Sequence, residues 1–142
     1  MDDNLKREII MEHYQSPLNR KVIEDDDYLK FNTRNESCID NLDIYIKIDN
    51  DLILDIAFEG EACAICISST SIMIENLIGK SIDEALNFIE NFEKMINEKK
   101  YDKDLLNNAN VYDAIYKQAS RKSCAFLPYK GLRETLNKLE RK

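Results

Sequence analysis

The sequence predicts an α+β fold in which a small three-stranded antiparallel sheet packs against helices. After residue 41, apolar residues alternate with polar ones, as in a half-buried strand. Near both ends of the chain, apolar residues instead recur at helical spacing. The chain has 142 residues, of which 44% are hydrophobic and 33% charged. This size and composition favour one domain over residues 1–142.

The first predicted element is an amphipathic helix over residues 3–15. Its apolar positions at helical spacing are Leu5, Ile9, Ile10 and Tyr14. The pattern ends before Pro17, because proline disfavours helical geometry in the preceding residue. Residues 17–35 have little periodicity and include an acidic run, so we predict no helix or strand there.

A β-hairpin is predicted next. Residues 42–48 alternate apolar and polar side chains, residues 49–51 have turn chemistry, and residues 52–58 form a second β-rich run. Gly60 interrupts this run, and Ala62–Ile67 is the predicted third strand. The helices that follow are expected to cover one face of this sheet.

The second half of the chain is predicted to be helical. The apolar residues from Ile72 to Ile78 indicate a buried helix closed by Gly79, and Ser81 and Glu84 form a capping box that opens a helix extending to about Glu98. The remaining predictions are an exposed connection over residues 99–110, a short helix over residues 111–119, and a C-terminal helix with Pro128 near its first turn.

Charge and hydropathy exclude two classes of partner. The net charge of −7 and the acidic pI of about 4.8 make nucleic acid an unfavourable partner. The apolar runs are far shorter than the roughly 20 residues of a membrane span, and the first residues lack the basic region of a signal peptide. We therefore expect a cytosolic protein that binds no membrane.

In the reducing cytosol, the four cysteines favour metal binding or thiol chemistry over disulfides. The candidate ligands are Cys38 with Asp40, Cys63 with Cys66, and Cys124. Residues i and i+2 of an extended chain point the same way, so Cys38 and Asp40 can reach one ion. Positive charge from the residues before Cys124 would favour its thiolate. Three thiolates and one carboxylate suit tetrahedral zinc, although each cysteine alone also fits inert packing.

Four segments of the chain carry recognisable motifs. They are EHYQSPLN at 12–19, NESCID at 35–40, GEACAICISS at 60–69 and RKSCAFLPY at 121–129. In this order they resemble D-H-Y-x-N-P-x-N, N-P-x-C-G-D, G-x-G-C-A-I-S-x-A-S and R-x-K-C-A-x-L-x-W of the IscU/SufU iron-sulfur cluster assembly family. The resemblance covers nearly the whole chain and implies a SufE/IscU-like fold.

Within that family, the chain resembles the SufU branch more closely than the IscU scaffolds. The scaffolds have a histidine immediately before the third cysteine, where this chain has Ser123. The separation of 61 positions from Cys63 to Cys124 is more than a scaffold needs, and residues 99–117 look like the extra segment of SufU. Arg121 also matches that branch. The resemblance implies zinc ligands at Cys38, Asp40, Cys63 and Cys124.

The resemblance also implies an activity. In the SufU branch, a SufS-type cysteine desulfurase with pyridoxal phosphate makes a persulfide, and the SufU protein accepts its sulfane sulfur for iron-sulfur cluster biogenesis. A histidine of the desulfurase takes over at zinc and frees the thiol equivalent to Cys38 as the acceptor. Arg121 is then the second catalytic candidate, as a cation that steers the persulfide. Downstream cluster-assembly proteins are the other implied partners.

Two other functions remain open at this stage. The same cysteines could assemble a transient [2Fe-2S] cluster as an IscU-like scaffold, because cluster ligation also requires thiolates. Zinc could instead stabilise a binding module without turnover. Single residues have plain alternatives as well: Arg121 as an ordinary surface cation, His13 as a packed histidine and Cys66 as a packed thiol. Ile39 departs from the family glycine and could alter the loop locally.

Overall fold

A computed structural model of the chain describes residues 1–36 and 38–140. The elements in chain order are α1 (Asp3–Gln15), β1 (Leu29–Arg34), β2 (Asn41–Asp49), β3 (Leu52–Glu61), α2 (Ala64–Leu77), α3 (Ile82–Ile96), α4 (Lys103–Leu106) and α5 (Ala119–Glu140). Two 3₁₀ turns, Asn107–Tyr112 and Ile115–Lys117, connect α4 to α5. The α+β class with a three-stranded antiparallel sheet is confirmed.

The sheet has the strand order β1-β2-β3, and both neighbouring pairs are antiparallel. Ile44 in the central strand lies opposite Phe31 on one side and Phe58 on the other. Leu42, Ile44 and Ile46 are fully buried, as the alternating pattern predicts. This apolar face packs against α2 and α5, which form the helical layer over the sheet.

The identity of the third strand differs from the prediction. Ala62–Ile67 is not a strand, because Ala64 begins α2 and nearly every residue from Cys66 to Leu77 is buried. A helix buried on all sides shows no polar face, so its apolar run cannot be distinguished from a strand by periodicity. The third strand is β1, which contradicts the prediction of no strand in residues 17–35. Thr33 is its one buried residue, so the alternating signal is weak.

Among the helical predictions, two are confirmed and two are corrected here. The α1 span and the capping box of α3 are as predicted, with Ser81 Oγ accepting from the Glu84 backbone at 3.1 Å. Residues 99–110 are not an exposed connection, since they contain α4 and the buried side chains of Leu106 and Ala109. The helix predicted over residues 111–119 is replaced by 3₁₀ turns.

Pro128 lies in the interior of α5, whereas the sequence places it in the first turn of the C-terminal helix. The helix begins at Ala119, and the polar residues before Cys124 conceal this start because they carry no apolar stripe. A proline has no backbone N–H, so the carbonyl of Cys124 loses its usual helical donor. In the described part of the chain, no helix is both long and apolar enough to cross a bilayer.

Strand β1 lies unusually close to α5 at Gly131. A Cβ atom on Gly131 would stand 2.9 Å from both Phe31 Cε2 and Thr33 Cβ. The Thr33 hydroxyl also donates to the Leu127 carbonyl at 3.1 Å. These contacts fix the end of β1 against α5, and so bring the loop that follows β1 next to the first turns of that helix.

We expect Gly131→Ala to lower the free energy of unfolding by about 1–3 kcal/mol, because the added methyl group overpacks this contact. The gain in helix propensity of up to about 1 kcal/mol only partly offsets the clash. Urea denaturation measures the change. Lys130→Ala, at an exposed neighbour on the same helix, is the control and should change stability by less than about 0.5 kcal/mol. A Gly131→Ala protein as stable as the control would contradict the tight contact.

Candidate metal centre

Four potential ligands from three parts of the fold converge at one end of α2. Cys38 and Asp40 lie in the loop between β1 and β2, Cys63 is the N-cap residue of α2, and Cys124 is near the start of α5. Their three sulfur atoms and a carboxylate oxygen all lie within 4.8 Å of one another. The structure thus brings together the four zinc ligands that the family resemblance implies, without the fifth candidate, Cys66.

The loop that carries Cys38 and Asp40 is closed by two backbone hydrogen bonds from one residue. The Asn35 N–H donates to the Asp40 carbonyl at 3.0 Å, and the Asn35 carbonyl accepts from the Cys38 N–H at 3.1 Å. Ser37, also part of this motif, lies outside the described residues. Ile39 is 67% exposed and does not have a positive φ, so the loop accommodates it in place of the family glycine.

Gly60 allows the close strand pairing beside the four converging ligands, which we call the cluster below. Its φ is +133°, and a Cβ atom there would stand 2.3 Å from the Asn41 carbonyl oxygen. Only glycine adopts this conformation without strain. Because Asn41 follows Asp40 directly and Gly60 precedes Cys63 by three residues, this pairing sets the separation of the two ligands.

Asp40 is the electrostatic centre of the cluster. It is 1% exposed, and its Oδ1 accepts a hydrogen bond from the Cys63 backbone N–H at 2.8 Å. Its Oδ2 lies 3.9 Å from Cys63 Sγ. Among the described residues, no lysine, arginine or histidine forms an ion pair with Asp40. A buried carboxylate is costly unless a cation compensates its charge, and a metal ion would supply that charge.

Two of the thiols, Cys63 and Cys124, are also in surroundings that disfavour negative charge. Burial raises the pKa of Cys63 and of Cys124 above the usual thiol value, and the Asp40 carboxylate raises both further. The expectation that the residues before Cys124 favour its thiolate is therefore wrong, since burial dominates at this position. A divalent cation reverses this balance because it stabilises thiolates directly.

The donor set fits zinc. Zn–S bonds of about 2.3 Å in tetrahedral geometry place thiolates about 3.8 Å apart, so ligand atoms within 4.8 Å of one another need only small shifts. Three thiolates with one carboxylate give four donors of borderline-soft character. Thiolates also suit iron-sulfur clusters, so the donors alone do not select the metal.

A cleft of about 410 Å³ opens onto the cluster. Three of the four candidate ligands line it, together with residues from the starts of α2 and α5: Cys38, Cys63, Ala64, Ile65, Ser120, Arg121 and Cys124. Cys38 is exposed, whereas Cys124 is only 6% exposed. Arg121 is exposed in the same cleft, so its positive charge lies where an anion entering the cleft would arrive.

Cys66 and His13 are outside the cluster. Cys66 is fully buried, and burial raises the pKa of its thiol far above the usual value, so it packs as a protonated thiol. His13 is on α1 and contacts α2: its Nδ1 lies 2.7 Å from Ser71 Oγ and its Nε2 lies 3.5 Å from Glu75 Oε2. The interpretation of His13 as a packed, hydrogen-bonded residue is confirmed.

Cys66→Ser is expected to leave metal binding unchanged within about twofold, because Cys66 is not among the converging ligands and serine is the family residue. Metal content of the purified variant, measured by inductively coupled plasma mass spectrometry, tests this. Loss of the metal would instead identify Cys66 as a ligand.

One residue of the site was not selected from the sequence. The side-chain amide of Asn35 donates from Nδ2 to Cys124 Sγ, at a distance of 3.9 Å. The available signal was its position as the first residue of the NESCID motif. Sequence reasoning searched that motif for metal ligands, and an amide is not a zinc ligand of the usual kind.

Comparisons with known proteins identify the family of this chain. The family model of the NifU-like N terminal domain matches residues 5–125. The zinc-dependent sulfurtransferase SufU of Bacillus subtilis is 34% identical over 97% of this chain and 93% of its own length. The scaffold protein IscU of Thermotoga maritima is 34% identical over 76% of each chain.

A solved structure extends the agreement to three dimensions. FiSufU from Fervidobacterium islandicum AW-1 superposes with a TM-score of 0.87 and 34% identity, covering 91% of this chain and 94% of that one. The family motifs, the converging ligands and the shared fold therefore lead to one conclusion. The chain belongs to the NifU-like N terminal domain family of iron-sulfur cluster assembly proteins.

Proposed function

We propose that this protein is a zinc-dependent sulfur acceptor in the cytosol. It takes persulfide sulfur from a SufS-type cysteine desulfurase and delivers it for iron-sulfur cluster biogenesis. One observation carries the proposal: the buried Asp40 carboxylate lies among three thiols and forms no ion pair with a cation of the described residues, and Cys38 is the exposed one of these thiols. The similarity to a zinc-dependent sulfurtransferase over 97% of the chain supports it.

The reaction is a thiol–persulfide exchange. The Cys38 thiolate attacks the outer sulfur of the desulfurase persulfide, a new S–S bond forms on Cys38, and the desulfurase cysteine leaves as a thiolate. Bound zinc would keep its cysteine ligands deprotonated at neutral pH. Arg121 lies in the same cleft as Cys38, and we assign it the role of steering the anionic persulfide toward the attacking sulfur.

Two features favour this role over cluster assembly. Ser123, directly before Cys124, is exposed and offers no imidazole ligand. The segment between α3 and α5 is folded into α4 and 3₁₀ turns, as expected for the longer SufU branch. The scaffold is kept as the second candidate because the IscU of Thermotoga maritima is also 34% identical, over 76% of the chain. A third candidate is a zinc-stabilised binding module without turnover.

The deciding experiment is native mass spectrometry of the anaerobically purified protein, before and after incubation with a SufS-type desulfurase and cysteine. One bound zinc, followed by a gain of sulfur on Cys38, is the expected result. Two irons with two sulfides would favour the scaffold. Zinc without any sulfur gain, and without stimulation of the desulfurase, would favour the binding module.

Arg121→Ala should slow sulfur transfer by roughly 10-fold while zinc remains bound, because a charge at the rim of a site acts mainly on encounter. Lys122→Ala is the matched control, since it removes the neighbouring positive charge and Lys122 does not line the cleft. Single-turnover transfer measured at two salt concentrations tests the effect. Equal rates for the two variants would assign Arg121 to the ordinary surface cations.

A further inference from the structure

Hydrogen bonds of Asn35 reach three of the four potential ligands, two through the backbone and one through the side chain. Its N–H and carbonyl close the loop at Asp40 and Cys38, and its side-chain amide points at the sulfur of Cys124 on α5. The hydrogen bonds of Asn35 therefore join the ligand loop to the helix that carries the third cysteine.

We propose that Asn35 is a positioning residue that keeps Cys124 in the ligand set when Cys38 leaves it to accept sulfur. This inference rests on the proposed function, because it assumes that Cys38 and Cys124 share one zinc ion. It assigns different tasks to two thiols of the same chemistry: Cys38 reacts, and Cys124 stays.

The physical basis is the stabilisation of a thiolate by an N–H donor. A hydrogen bond from Nδ2 to the Cys124 sulfur stabilises negative charge on that atom and makes it less reactive toward an electrophile. Cys124 is buried, so water does not replace this donor, whereas the exposed Cys38 is solvated. Groups that hydrogen-bond metal ligands commonly change metal affinity by about 10–100-fold when removed.

The backbone bonds of Asn35 add a second effect. They close the loop through main-chain atoms at Asp40 and Cys38, which are retained in an Asn35→Ala protein. Asn35 also lies outside the left-handed region, so alanine fits its backbone. The substitution therefore removes the amide that reaches Cys124 and leaves the main-chain closure of the loop in place.

The test measures zinc affinity by competition with a chromogenic chelator in two matched backgrounds. In Cys38→Ala, which mimics the departed ligand, Asn35→Ala should weaken zinc binding by about 10–100-fold. In Cys124→Ala, the same substitution should change affinity by no more than about twofold, because its target sulfur is absent. Asn32→Ala, which removes an amide that binds exposed groups of β2, is the control and should be neutral in both backgrounds.

Equal losses in the two backgrounds would overturn the proposal, because Asn35 would then act through the loop alone. No loss in Cys38→Ala would overturn it as well. Cadmium-113 NMR of the Asn35→Ala single variant gives a second measure: the resonance should move from its wild-type position, and an unchanged resonance contradicts the N–H···S contact. Failure of the wild-type chain to bind zinc would refute the proposed function itself, and the role of Asn35 with it.

Discussion

Cys38→Ala is expected to abolish sulfur acceptance, with a loss of at least about 10³-fold in the rate of persulfide formation. Cys38 is the exposed thiol in the cleft, so its removal leaves no accessible nucleophile among the converging ligands. Cys63 and Cys124 do not replace it, because both are less accessible than Cys38. Some zinc should remain bound through the other three ligands.

Mass spectrometry after incubation with a desulfurase and cysteine measures this loss. Cys66→Ser is the matched control, since it also removes one thiol but at a buried position outside the cluster. Persulfide on Cys38→Ala at the wild-type level would end the assignment of Cys38 as the acceptor. Persulfide missing from both variants would mean that the buried Cys66 takes part in transfer.

Asp40→Asn should separate metal binding from folding. Asparagine keeps an oxygen that can accept from the Cys63 N–H, so the start of α2 stays in place, but the anionic ligand is lost. We expect zinc affinity to fall by about 100-fold or more. Removal of a group that only hydrogen-bonds a metal ligand already lowers affinity by about 10–100-fold. The metal-free protein should be as stable as wild type or more stable, because an uncompensated buried charge has been removed.

Zinc titration and thermal unfolding of the metal-free protein give the two measurements. Asp43→Asn, at a less buried aspartate on β2, is the control and should alter neither quantity appreciably. Wild-type zinc affinity in Asp40→Asn would exclude Asp40 as a ligand. A strong loss of stability without metal would instead show that the carboxylate holds the loop by its charge.

The sequence predicted the parts of the fold that have one apolar and one polar face. The hairpin of β2 and β3, α1 and the capped α3 all show such a face. The start of α2 was missed because it is apolar all round, and β1 was missed because it buries little. The start of α5 was missed because it faces the cluster and carries polar residues instead of an apolar stripe.

The cluster was predicted for a different reason. Its members are spread from Cys38 to Cys124, and no local spacing connects them, so the family motifs carried that prediction. The motifs identify residue types but not the hydrogen bonds between them. The contact from Asn35 to Cys124, which spans 89 positions, appears only once β1 and α5 are packed together at Gly131.

Pro128 divides α5 into an N-terminal segment that carries the site and a C-terminal segment that packs on the aromatic core. On the C-terminal side, Gly131 is clamped against β1, and Tyr129 stacks on Phe92 with ring centroids 4.1 Å apart. On the N-terminal side lie Arg121 and Cys124, and the proline removes the N–H that would pair with the Cys124 carbonyl. Ser69 of α2 donates to the Ala125 carbonyl at 2.6 Å, so the residue next to Cys124 is tied to α2 as well. The third cysteine is therefore anchored to the core although its own carbonyl lacks a helical donor.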